Sequence, residues 1–102
     1  MPFDMDIIIP VELLQDKRLE YSGKILYGII FTQLKETEYC VPTNRELAYI
    51  LGRSDRSVMF LLGKLVEYGY INREILRDES TGEVLERRLS LTKKPWINRG
   101  NT

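Results

Sequence analysis

Residues 43–71, TNRELAYILGRSDRSVMFLLGKLVEYGYI, constrain this chain more than any other stretch, because their punctuation admits two helices and a sharp corner. Thr43, with Glu46 three residues on, makes the T-x-x-E capping box, in which two side chains satisfy the orphan amides of a first helical turn. A helix is predicted to begin there. Leu47, Ile50 and Leu51 fall on one face, with Arg45, Glu46 and Tyr49 directed elsewhere. Gly52 ends this helix, since glycine takes the left-handed conformation without a Cβ penalty. Arg53 alone separates that stop from Ser54, a second N-cap, and Asp55 follows where a carboxylate suits the positive end of the helix dipole. In the second helix Val58, Leu61, Leu62 and Leu65 form an inward stripe, and Gly69 closes the helix. At about 100° per residue, the opposite side carries Arg56, Phe60, Gly63 and Glu67, with Ser57 and Lys64 beside them. Whatever this protein touches is expected to meet that side.

A chain of 102 residues with 43% hydrophobic content supports one modest core and one domain. With a single cysteine, Cys40, and no histidine, it offers no internal disulfide, no zinc cluster and no histidine-based catalytic centre. Cys40 reads as a small buried or half-buried hydrophobe. There is no glycine-rich phosphate loop, and the carboxylates sit at capping and turn positions, so neither catalysis nor a cofactor is expected. No apolar run approaches the ~20 residues of a membrane span. The start, MPFDMDIII, is acidic where a signal peptide is basic, and a soluble, cytoplasmic protein is expected. The 15 basic and 15 acidic residues cancel, which counts against a strongly basic nucleic-acid binder. The charge is unevenly spread all the same. Residues 1–20 hold two basic and five acidic side chains, net −3, whereas residues 53–64 hold Arg53, Arg56 and Lys64 against Asp55, net +2.

Ahead of the helix pair, residues 1–6 read as a flexible terminus and residues 7–9 as a strand or an extended lead-in ended by Pro10. VELLQDKRL is one or two helical turns, with Val11 and Leu14 inward and Leu13 a further candidate. Ser22 is the expected cap of GKILYGIIFTQLK. There Ile25, Leu26, Ile29, Ile30 and Leu34, widened by Tyr27 and Phe31, make a helix that should lie under the other two. Residues 36–41 are a polar link in which Tyr39, Cys40 and Val41 form a candidate short strand. Residues 70–77 and 84–91 alternate around a polar turn, which predicts a β-hairpin with Leu85, Leu89 and Leu91 on one face and Glu86, Arg88 and Ser90 on the other. Residues 93–102 read as a tail. The expected class is α+β, mostly α: a three-helix core and a hairpin over residues 7–92.

Three helices and a hairpin, with the last helix ending in EYGYI, resemble the winged-helix branch of helix-turn-helix DNA-binding domains. Within that branch IIIPVELLQDKRL, SGKILYGII and PTNRELAYILGRSDRSVMFLLGKLVEYGYI are similar to the N-terminal domains of plasmid and phage replication initiators, also called replisome organisers. The likeness spans roughly residues 7–91. It implies that residues 54–64 lie in the major groove, their first residues at base edges, and that the hairpin is a wing along the backbone or an adjacent minor groove. Carried onto this sequence, the DNA-binding positions are Thr43, Asn44, Arg45, Arg53, Ser54, Arg56, Ser57, Phe60 and Lys64, with Arg77, Arg87 and Arg88 on the wing. Initiators of this kind commonly act as dimers on repeated or palindromic sites and carry a further partner-binding domain. Double-stranded DNA, a homodimer and a replication or host protein are therefore the implied partners, and transcription regulation is the neighbouring role. No such further domain lies within these residues, as suits a self-contained small protein or one piece of a larger one.

Two departures from the pattern open a competing reading. Met59 and Phe60 stand where relatives usually place polar or basic side chains. They have three readings: contact with a thymine methyl, a dimer or partner interface, or cover by the hairpin or by the tail around Trp96. Gly63 costs about 1 kcal/mol in a helix interior, which reads either as close approach of another backbone or as a glycine without a role. The wing's basic residues are also nearly cancelled by Glu74, Asp78, Glu79, Glu83 and Glu86. Met59, Phe60, Gly63 and Trp96 would then be the interaction surface of a winged helix turned into a protein-binding module. Arg56 itself is either a bidentate reader of guanine or a solvated first-turn arginine, and Ser54 is foremost a cap. Arg87 and Arg88 are adjacent on a strand, so only one can meet a given phosphate row.

Overall fold

The computed structural model describes residues 6–34, 42–92 and 94; the expected strand at 39–41, Cys40 and Trp96 lie outside them. In chain order the elements are α1 (Val11–Leu14), α2 (Tyr21–Gln33), α3 (Asn44–Leu51), α4 (Asp55–Glu67), β1 (Ile71–Arg77) and β2 (Val84–Leu91). Among the described residues they form a small α+β domain of four helices and one antiparallel hairpin. None of these helices is long and apolar enough to cross a membrane.

α2 is the central element, as its wide apolar face predicts. Leu26, Tyr27, Ile29 and Ile30 are fully buried, and the helix packs against α1, α3 and α4. The Tyr27 ring stacks on Phe31 and receives Tyr70 edge-on at 5.7 Å. Ser22 does not cap this helix. α2 begins one residue before it, with Glu20 at the N-cap and no side-chain cap bond, and the Ser22 hydroxyl instead accepts a hydrogen bond from Arg53 at 2.7 Å. Ile25, the first member of the expected apolar face, stays half in solvent.

Residues 7–9 take the extended lead-in form and join no sheet. The Thr32 hydroxyl accepts from the Ile8 amide at 3.0 Å and donates to the Gly28 carbonyl at 2.7 Å, so one side chain ties this strap to α2. Gly28 makes room for it: an added Cβ would sit 2.6 Å from Ile7, 2.8 Å from Ile9 and 3.2 Å from the Ile8 carbonyl. α1 is a single turn, and its burial departs from the expectation. Leu13 is fully buried, whereas Val11 and Leu14 are exposed at 63% and 44%. One turn has too few residues for an i, i+3 stripe to form a face, so only one side chain reaches the core. Lys24, buried on α2, donates to the Leu14 carbonyl at 2.6 Å and so satisfies an orphan acceptor at the end of α1.

Past α1 the chain is clamped to the far side of the domain through Asp16. Arg18 grips its carboxylate with two side-chain nitrogens, at 2.9 and 2.6 Å, and the Tyr70 hydroxyl donates to it at 2.6 Å. The Arg18 guanidinium lies 4.4 Å above the Tyr68 ring. Arg18 first, working against desolvation, and then Tyr70 hold the Asp16 carboxyl well below the usual carboxylate range. Burial first, then the bond to Asp16, pushes the Tyr70 phenol up to about 12.

The α3–α4 corner follows its sequence closely. Thr43 and Glu46 form the reciprocal capping box, Gly52 ends α3 at φ 73°, and Ser54 accepts from the Ser57 amide at 3.1 Å. At the other end of α4, Gly69 at φ 79° lets the Tyr70 amide reach back to the Leu65 carbonyl. In the hairpin Ile71 faces Leu91 and Arg73 faces Leu89, with Ile71 and Leu89 buried. Leu85 does not join that inner face. The register shifts between Leu76, opposite Glu86, and Arg77, opposite Val84; the bulge leaves Leu85 unpaired and 64% exposed.

Two substitutions test these anchors. Tyr70→Phe, which removes a hydrogen bond to a charged group, is expected to cost about 1.5–3 kcal/mol in urea unfolding. Because the Asp16 carboxyl is depressed on folding, its contribution is complete above its unfolded value near pH 4 and is lost progressively as pH falls from there toward its lower folded value. Stability should therefore drop on acidification below about pH 4 in the native chain, and less so in Asp16→Asn. Gly28→Ala should destabilise by about 1–3 kcal/mol through overpacking against the strap, despite alanine's higher helix propensity.

Candidate functional site

The outward side of α4 is built by the four residues it buries. With Val58, Leu61, Leu62 and Leu65 in the core, the opposite stripe is Arg56, Phe60, Gly63 and Glu67, flanked by Met59 on one side and Ser57 and Lys64 on the other. Met59 and Phe60 are 55% and 59% exposed, so the hairpin does not cover them. Nothing lies within 4 Å of where a Gly63 Cβ would stand, so no described part of the chain requires glycine there.

The cations expected to bind divide sharply by whether an internal partner already holds them. Arg45 at the start of α3 and Arg56 in the first turn of α4 are exposed, and among the described residues neither forms an ion pair or hydrogen bond. Arg53 is turned toward the start of α2, bonded to Ser22 and 3.9 Å from the Glu20 carboxylate. Lys64 pairs with Glu67 at 3.2 Å, which raises its pKa, and lies 5.5 Å from the centre of the Phe60 ring. Arg77 donates to the Gly82 carbonyl at 3.1 Å and so closes its own turn. Arg88 is bracketed by Glu86 and, at 4.0 Å, Glu74.

Arg87 has a different role from its neighbour. One of its nitrogens donates to the Asn44 side chain and another to the Pro42 carbonyl at 2.6 Å, which fastens β2 to the start of α3. Thr43 is likewise committed to its capping box and Ser54 to its cap. The structure thus gathers Arg56, Ser57, Phe60 and Lys64 on α4 and places Thr43, Asn44 and Arg45 together at the head of α3. Of the three expected wing arginines, Arg87 serves the hairpin's attachment, Arg77 its turn and Arg88 its pairing with Glu74 and Glu86.

Sequence reasoning did not anticipate an open groove of about 530 Å³ between the head of α3 and the hairpin, lined by Pro42, Thr43, Asn44, Ile75, Val84, Leu85, Glu86 and Arg87. A signal for its polar floor was present: Arg87 shares the parity of Leu89 and Leu91, which sets it on the inner face of the hairpin. No protein-family model, curated protein or solved structure matches the chain.

The two roles assigned here separate by mutation. Arg87→Ala leaves the Asn44 oxygen and the Pro42 carbonyl without their donor and should cost about 1–3 kcal/mol, whereas Arg88→Ala, which breaks a surface pair, should cost under about 1 kcal/mol. Gly63→Ala, in open space, should stabilise by about 0.5–1 kcal/mol in thermal unfolding. A loss of stability there would place an unseen neighbour over Gly63.

Proposed function

We propose that this chain is a sequence-specific double-stranded DNA-binding domain of the winged-helix type, with α4 as the helix that enters the major groove. Its place among replication initiators or transcription regulators of plasmids, phages or other mobile elements rests on the resemblance of its lead-in and helix pair. The observation that carries the DNA reading is Arg56: exposed, unpaired among the described residues, and in the first turn of a helix whose outward stripe is otherwise open. A recognition helix meets base edges with those first residues, and a planar guanidinium matches the O6 and N7 acceptors of guanine. Arg45 supplies a second unspent cation at the head of the neighbouring helix. On this reading the hairpin acts mainly by shape and position, because Arg77, Arg87 and Arg88 are engaged within the chain and leave Arg73 as its one arginine without an ion pair or hydrogen bond among the described residues.

One observation favours a second reading. The exposed Met59 and Phe60 on a chain of zero formal charge would also suit a protein-binding module or a homodimer. The two readings separate in solution. On the DNA reading, gel shifts show duplex binding that weakens as salt rises, through counterion release, and Arg56→Ala weakens specific binding by about 1–3 kcal/mol. On the other, light scattering shows a dimer or heteromer that Phe60→Glu abolishes without loss of fold, and no duplex binds at low salt.

A further inference from the structure

The reading side of α4 changes character along its length. Arg56 opens it, the Lys64–Glu67 pair neutralises its far end, and between them stand an aromatic ring and a thioether, both more than half exposed. Past Phe60 the surface drops away at Gly63, where a side chain would meet nothing. The face therefore presents one polar fork and, one turn later, an apolar projection.

Among the edges that base pairs show in the major groove, the one apolar group is the C5-methyl of thymine. Arg56 and Phe60 are four residues apart, about 6 Å along the helix axis, or about two base-pair steps for a helix lying along the groove. The apolar projection is also flanked by polar groups. Arg56 precedes it as a cation with no partner among the described residues, and Lys64, paired with Glu67, stands 5.5 Å from the ring. An apolar patch of two side chains is small beside the several hundred Å² that mark protein-docking surfaces.

We infer that Phe60, with Met59 beside it, is a specificity-determining residue that packs on a thymine methyl about two base pairs from the pair met by Arg56. This rests on the DNA reading above. Burying one methyl predicts about fourfold discrimination.

The test selects duplexes from a random pool with the full chain. Each thymine of the preferred site is then replaced in turn by deoxyuridine, which lacks only the methyl. The native protein should lose about fourfold in affinity at one or two positions and nothing elsewhere. Phe60→Ala should bind the thymine and deoxyuridine forms alike, while Arg56→Ala binds both more weakly and keeps their ratio. An enriched site with no methyl dependence at any thymine, measured on the native chain alone, overturns this inference and leaves the DNA reading standing. Retention of the fourfold ratio in Phe60→Ala does the same. Failure of any sequence to enrich overturns the DNA reading and this inference with it.

Discussion

A helix that is apolar around most of its circumference has to be enclosed, and the enclosure of α2 is the constraint on which the domain depends. No single neighbour could cover it. α1 and the 7–9 strap take one side, α3 and α4 another, and the aromatic contact from Tyr27 to Tyr70 reaches the start of the hairpin. Each covering segment then needs its own fastening where apolar contact gives no direction. Thr32 fastens the strap, Lys24 the end of α1, Asp16 the loop after it and Arg87 the hairpin. Burial supplies the bulk of the driving force, and these few polar contacts fix how the pieces are set against one another.

The parts legible from sequence were those with short-range causes. The α3–α4 corner was readable to the residue, since two N-caps and two glycines act within a few positions of themselves and the inward stripe of α4 repeats over about two turns. The hairpin's limits were readable for the same reason. The misplaced residues depended on distant partners or on breaks in period. Val11 and Leu14 belong to a helix too short to have a face. Ser22 is drawn to Arg53, far along the chain, and Leu85 is displaced by a bulge that strict alternation cannot signal. The Asp16–Tyr70 bond joins residues 54 positions apart, a separation no local pattern reports.

The candidate site shows the same division. That the outward side of α4 would be open was plain from its inward side, but which cations remain unspent was not, because Arg53 and Arg87 find their partners on distant elements and the nearby partners of Lys64, Arg77 and Arg88 depend on side-chain geometry. Counting arginines along the chain puts four in the hairpin, Arg73, Arg77, Arg87 and Arg88. Pairing takes up Arg77, Arg87 and Arg88, and of the cations expected to bind, those left unpaired among the described residues stand at the heads of α3 and α4. On the proposed DNA reading, such a protein would rely on fit at a few bases more than on general attraction to the phosphate backbone, in keeping with its balanced formal charge.

The bulge at Leu85 also bears on how the hairpin coexists with other copies of itself. A two-stranded sheet has outer backbone groups that are templates for a further strand, and long flat edges of this kind are where chains stack into aggregates. Here the shift between Leu76 and Arg77 breaks the regular spacing near the turn, and Arg73, Glu74, Arg77, Glu86 and Arg88 line the strands with charges of both signs. An incoming strand would meet a kinked and charged template. The irregularity that spoils the alternation is thus a safeguard against edge-to-edge polymerisation.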